Sequence, residues 1–218
     1  MHYQLIFSQV LKYIPMMLNG LKISIFITII GMFFGTIVGI FCAVIKSGHN
    51  KFLKSIVNIY TEIFRNTPLL LQMYLLFFGL AQFNIHVSAM ASAIISLTLN
   101  TGAYTCVIFH PGIETVDIGQ KEAAAALGMS KFQEKMKITI PQAFRIIFSP
   151  LVNQFISLFL FSAVAATISV PELLSTALLI DSKSMRTFEV FIITTILYLM
   201  VTTLITIISG YVEKRFKY

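Results

Sequence analysis

Charge is the scarcest property of this sequence. Sixteen Lys or Arg and nine Asp or Glu make up 11% of its 218 residues, against roughly 25% in an ordinary soluble domain. That deficit excludes a water-soluble globule, and an apolar content of 57% with mean hydropathy +0.85 points the same way. Cysteine is nearly absent. Cys42 and Cys106 both fall in apolar stretches, where they read as small apolar residues rather than half of a disulfide or a metal-ligand set. The first fifteen residues lack a basic start and a small-residue cleavage site, so the first span is expected to act as an uncleaved anchor. No internal repeat is visible. There is no Gly-x4-Gly-Lys-Ser/Thr phosphate loop, so ATP is not bound by that route. Paired carboxylates, a His/Glu metal set and a Ser/His dyad at matching depth are missing too. His2 and His86 are expected outside and His49 and His110 near the inner surface, which speaks against an intramembrane enzyme and calls for no cofactor.

The few charges are spaced informatively. No Asp, Glu, Lys or Arg occurs in 23–45, 66–113, 146–171 or 190–212. A helical span needs roughly 20 apolar residues, so three of these gaps hold one span each. The long one holds two, hinged at Phe83-Asn84-Ile85-His86-Val87-Ser88. The expected fold is an all-α integral membrane protein of five transmembrane helices, at about 17–45, 67–83, 89–109, 146–168 and 189–211, forming a single transmembrane domain over 1–218. Twelve of the Lys and Arg residues fall in 46–65, 110–145 and the tail, while Lys12, Lys22, Lys183 and Arg186 fall on the other side. Because cytoplasmic loops collect positive charge, the amino end is expected outside and the carboxyl end in the cytoplasm. The net charge of +7 then reflects orientation and contact with anionic lipid headgroups. Nucleic acid is not an expected partner, since no basic soluble face exists.

Gly31, Gly35, Gly39 and Ala43 lay a smooth stripe on the first span, which lets another helix approach closely. Residues 51–64 have the apolar rhythm of a helix able to lie along the membrane surface. Arg65-Asn66-Thr67-Pro68 interrupts it, and a new helix is expected from Pro68, which cannot continue the old one. Arg65 reads equally as a snorkelling anchor or as a specific group. Polar side chains within the hydrocarbon are few: Gln72 in the second span; Thr98, Asn100, Thr101 and Tyr104 in the third; Asn153, Gln154, Ser157 and Ser162 in the fourth. Two readings apply to them, hydrogen bonds between helices or the lining of a translocation pathway, because an unpaired polar group is costly in lipid. Gln72, Asn100, Tyr104, Asn153, Gln154, Ser157 and Ser162 are the pathway candidates. No acid or base lies at mid-depth, where proton- and sodium-coupled carriers place theirs. Energy for transport is therefore expected from a partner.

The longest hydrophilic stretch, 113–141, connects the third and fourth spans. Asp117 can cap a first short helix with Gln120 as reciprocal partner; Gly128 suits a left-handed stop; Ser130 with Gln133 repeats the capping arrangement. Pro141 is expected to mark the turn back into the membrane. Ala123, Ala124, Ala125 and Ala126 give the first helix high helicity and little bulk. A thin, rigid helix on a Gly-hinged loop is shaped to enter a groove of another protein.

Glu122-Ala123-Ala124, three residues, Gly128, nine residues and Ile138-Thr139-Ile140-Pro141 resemble the E-A-A loop of permease subunits in bacterial ATP-binding-cassette (ABC) importers. The resemblance extends over most of the chain and points to the polar amino acid uptake branch. Arg65-Asn66-Thr67-Pro68-Leu69-Leu70 is similar to that branch's R-G-T-P-L-L. Ala103-Tyr104, Gly112-Ile113, Gly119-Gln120, Pro141-Gln142-Ala143, Asn153-Gln154-Phe155-Ile156-Ser157-Leu158 and Val170-Pro171-Glu172-Leu173 add to it. The departures are Val107 and His110 in the A-Y-x-x-E-x-x-R run, and Phe159-Leu160-Phe161-Ser162 where the branch continues L-K-D-T/S.

The resemblance implies alternating access driven by cytoplasmic ABC ATPase subunits that grip the coupling helix at Glu122, Ala123, Ala124, Gly128, Met129 and Ser130. It also implies an extracellular or periplasmic substrate-binding protein, a second permease chain, and residence in the bacterial inner membrane. Loss of the charged pair near Phe161 favours a heterodimer, with the pair retained on the other permease chain. The alternative is a non-transporting membrane scaffold, which accounts for the spans and leaves the capped alanine-rich loop unexplained.

Overall fold

A computed structural model describes residues 4–114 and 117–216. Thr115 and Val116 of the connecting loop, His2 and Lys217 lie outside the described residues. All regular structure among the described residues is helical.

After a single turn, α1 (Ser8–Leu11), the chain enters α2 (Ile14–Lys46), whose Pro15 occupies the first turn where its missing N–H costs nothing. The first close contact is between α2 and α5 (Ala89–Glu114). Gly31, Gly35 and Gly39 are buried, and a Cβ added to Gly35 would sit 2.6 Å from Thr101 Cβ. The glycine stripe thus brings the two backbones together, with Leu97, Thr101 and Thr105 filling the groove. Phe26, Phe33, Ile37 and Phe41 face out from α2.

Asn50 caps α3 (Lys51–Asn66), its Oδ1 accepting from Phe52 N at 3.0 Å and Leu53 N at 3.2 Å. Thr67 and Pro68 are extended. The path then resumes as α4 (Leu69–Tyr74), a π-turn (Leu75–Gly79) and a 3-10 turn (Leu80–Phe83), at 106° to α3. Asn84, with φ 60°, turns the chain toward α5.

Two short helices follow, α6 (Ile118–Ala126) and α7 (Lys131–Glu134). From Lys131 the backbone stays helical through a π-turn, Lys135–Thr139, into α8 (Ile140–Phe161). Pro141 therefore does not mark a turn. The wide π-turn just before it absorbs the N–H that proline lacks. A 3-10 stretch, Ser162–Ile168, leads to α9 (Leu173–Ser184), and α10 (Thr187–Phe216) ends the fold. One buried cluster joins Val10, Met17, Leu173, Ala177, Ile180 and Val190, which anchors α9 and the start of α10 to the amino end.

Among the described residues four helices are long and apolar enough to cross a membrane: Ile14–Lys46, Ala89–Gly112, Ile146–Ile168 and Thr187–Lys214. The bent pair Lys51–Asn66 and Leu69–Phe83 makes up to five if it counts as one span. The arrangement has two ends. Ser47, Gly48 and His49 meet α6 and α7 at one. Gln4, Ile6 and Gln9 meet Arg186 and Glu189 at the other.

Candidate functional site

Two regions gather the residues that the sequence singles out. The first is the α6–α7 hairpin. Asp117 accepts from Gly119 N at 2.7 Å, so it caps α6 as expected. Gln120 is not its reciprocal partner: its side-chain oxygen accepts from Gln142 Nε2 at the foot of α8, which ties the helix to the bundle. Gly128 has φ +72°, Gly128 N donates to Ala125 O at 3.0 Å, and Met129 N donates to Ala124 O at 3.1 Å. That pair of bonds is the Schellman stop. Ser130 and Gln133 cap each other reciprocally at the start of α7.

Ala124 is buried. It faces a groove of about 550 Å³ between α6 and the base of α8, lined also by Ala123, Leu127, Ile138 and Pro141. The opposite surface of α6 carries Ile118, Glu122 and Ala126, all exposed, with Leu127 82% exposed beside them. The exposed surface of α6 is therefore the Ile118–Glu122–Ala126 side, and Ala124 supports it from behind. Met129 is half-buried and Ser130 exposed.

The second region surrounds the break between α3 and α4. The carbonyl of Phe64, left over at the end of α3, accepts from Gln72 Nε2 at 3.0 Å and Asn100 Nδ2 at 2.9 Å. Gln72 also donates to Thr67 O and Thr67 Oγ1. Asn100 Oδ1 is buried without a partner. Arg65 lies over the Tyr104 ring, 5.4 Å from its centroid, and its Nε has no hydrogen bond. Arg65, Pro68, Asn100, Tyr104, Phe161 and Val164 line a cavity of about 490 Å³. Among the described residues Arg65 is the one charged residue on its wall.

The structure thus brings Gln72, Asn100 and Tyr104 together. Asn153, Gln154, Ser157 and Ser162 are not among the residues that line this cavity. Asn153 is exposed and lines a groove of about 180 Å³ against Thr206, Ser209 and Gly210 of α10. Gln154 is buried, Ser157 half-buried, and Ser162 donates to Phe159 O at 2.6 Å. Phe161, where the uptake branch has its acid, stands in the cavity wall.

Two buried carboxyl groups were not singled out from sequence. Glu172 caps α9 by accepting from Ser175 N at 2.7 Å, and it also accepts from Ser24 Oγ at 3.1 Å and Tyr198 Oη at 3.2 Å. Burial pushes its carboxyl above the usual range, although these donors oppose the rise. Glu189 accepts from Ile6 N at 2.7 Å and lies 3.7 Å from Arg186 Nη1. The only local sign of either is an acid placed at a helix start, after Pro171 and Thr187.

Residues 35–218 match the family described as binding-protein-dependent transport system inner membrane component. The chain is 33% identical to the arginine transport system permease protein ArtQ of Bacillus subtilis (strain 168) over 212 residues, 97% of each chain. It is 33% identical to the putative glutamine transport system permease protein GlnP of Rickettsia prowazekii (strain Madrid E), covering 94% of this chain and 96% of that one. A crystal structure of an amino acid ABC transporter with histidines superposes with TM-score 0.90 at 33% identity, over 98% of this chain and all of that one.

Proposed function

This chain belongs to the family of binding-protein-dependent transport system inner membrane components, and from that premise we propose that it forms half of a pathway for a polar amino acid or similar small solute. It is the multi-pass permease subunit of an ABC importer; a separate ATPase hydrolyses ATP, and the family works with a substrate-binding protein. The names of its relatives support an amino acid solute, and so does the cavity beside Arg65, whose guanidinium suits a carboxylate. The loss of an acid at Phe161 supports a heterodimer, with the other permease chain supplying the charge that this wall lacks.

The observation that carries the coupling role is the two-sidedness of α6. One side is packed on the bundle through Ala124 and the Gln120–Gln142 bond. The other offers two exposed apolar residues, Ile118 and Leu127, one small residue, Ala126, and one acid, Glu122, to a partner's groove. The two sides call for two tryptophan variants, measured in proteoliposomes holding the permease with its co-purified ATPase. Ala126→Trp is expected to insert normally yet lower solute-stimulated ATP hydrolysis and uptake by more than about tenfold, as bulk in a tight interface does. Ala124→Trp is expected to lower thermal stability first, because its Cβ faces the chain's own interior. Full coupling in Ala126→Trp would refute the docking role of this surface.

A further inference from the structure

α5 carries a second polar feature that the fold does not need. Ser88, Ser92, Ser96 and Asn100 recur every four residues, so they form one slowly winding stripe about 100° round the helix from the Leu97–Thr101–Thr105 line that meets α2. Ser88 is exposed at the start of the helix, its Oγ accepting from Ala91 N. Asn100 lines the cavity beside Arg65. Twelve residues at a rise of about 1.5 Å each place the two ends about 18 Å apart, more than half of the hydrocarbon thickness.

Between them Ser92 and Ser96 are fully buried and Asn100 is 4% exposed, yet Ser92 Oγ, Ser96 Oγ and Asn100 Oδ1 have no hydrogen-bond partner. The usual escape for a helical hydroxyl in lipid is to donate to the carbonyl four residues back, as Thr28, Thr194 and Thr206 do. Ser92 and Ser96 do not. Thr101 and Thr105 are unpartnered as well, but their carbon atoms fill the groove left by Gly35 and Gly39, which explains their residue type by packing. Neither Ser92 nor Ser96 is among the atoms nearest the missing Cβ of any described glycine. Alanine would fill the same space without an unpaired oxygen, so a permanently dry contact favours alanine at both positions.

We propose that Ser92 and Ser96 are the wall of the solute path on the amino-end side, closed in this conformation and wetted when α5 parts from α4 and the following turns. In the open form the stripe leads a polar, hydrogen-bonding solute from the exposed end at Ser88 down to Asn100 and Arg65. Hydroxyls bond ammonium and carboxylate groups alike, so this stretch selects polarity without selecting charge. Closure leaves the oxygens unsatisfied, which biases the track toward reopening. The inference rests on the permease reading above.

The test uses the importer complex in proteoliposomes, with Cys42 and Cys106 replaced by Ala. Ser92→Cys and Ser96→Cys are each exposed, from the amino-end side, to a membrane-impermeant trimethylammonium methanethiosulfonate reagent. Ala93→Cys, also fully buried, serves as control. With ATP and vanadate, labelling at 92 and 96 is expected to rise by about tenfold or more over the nucleotide-free state, the signature of a population shift, while 93 stays protected in both. Equal protection at all three positions in every state, or labelling at 92 and 96 that ignores nucleotide, overturns the proposal. If the cysteines prevent assembly, Ser92→Ala combined with Ser96→Ala decides. A raised melting temperature with uptake reduced several-fold supports a track; a raised melting temperature with unchanged uptake overturns it. Vanadate-sensitive uptake by the unaltered complex separates the two levels, because its absence sinks the permease reading itself rather than the track.

Discussion

A carboxyl group enclosed by packing makes stability depend on pH, and Glu172 is such a group. It is fully buried and lies between the apolar windows that end at Ile168 and resume at Thr187. Desolvation raises its pKa above the ordinary 4.5, so the folded chain holds the proton at pH values where the unfolded chain has released it. The contribution to stability is therefore full below the ordinary carboxylate value and declines as pH rises through the raised one. Glu172→Gln keeps an oxygen for Ser175 N and removes the titration. Its melting temperature in detergent is expected to vary less between about pH 4 and about pH 8 than that of the unaltered chain. Glu172→Ala strands Ser24 Oγ, Tyr198 Oη and Ser175 N and is expected to cost about 1–3 kcal/mol. An unaltered pH slope in the Gln variant would remove Glu172 as the origin of the effect.

Among the elements, the α2–α5 seam is where small residues matter most. Three of its glycines face side chains of α5 so closely that an added Cβ would lie within 3 Å of a heavy atom. Gly35→Val is expected to cost about 1–3 kcal/mol by overpacking and to lower the folded yield. Gly210→Val meets nothing within 4 Å and serves as the neutral comparison; equal thermal stability of the two would mean that the seam is compliant. This stripe was legible in the sequence because a four-residue glycine spacing has one physical use in a span. The Gly128 stop and the Ser130–Gln133 box were legible for the same reason, since each is settled within a few residues of chain. What escaped depends on residues far apart. Gln120 finds Gln142 instead of the neighbouring cap, Gln72 and Asn100 converge on the carbonyl of Phe64, and Ala124 turns inward, none of which local spacing encodes. Glu172 stands in the Val170-Pro171-Glu172-Leu173 match, but its burial was not legible there, because Ser24 and Tyr198 are brought to it from opposite ends of the chain.

At the scale of the whole molecule, the fold sorts its positive charge onto one end. Twelve of the sixteen Lys and Arg residues fall in 46–65, 110–145 and the tail of the sequence; among the described residues the end of α2, the start of α3, α6, α7, the π-turn after it, the start of α8 and the end of α10 hold ten of them, and contacts gather these elements: Ser47 and His49 share a cavity with Lys131 and Lys135, and Ser149 shares one with Glu213. Anionic headgroups of the cytoplasmic leaflet attract such an end by about 1 kcal/mol for each Lys or Arg near the surface. The difference between twelve and four is large enough that no single substitution should invert the chain. A fluorescent protein fused after Tyr218 is therefore expected to fold and fluoresce, and alkaline phosphatase at the same place to stay inactive. The same fusions on a variant with Lys51 and Lys54 both changed to Gln are expected to behave alike, because ten positive residues still oppose four. An active phosphatase on the unaltered chain would turn the molecule over, moving α6 out of reach of any cytoplasmic ATPase.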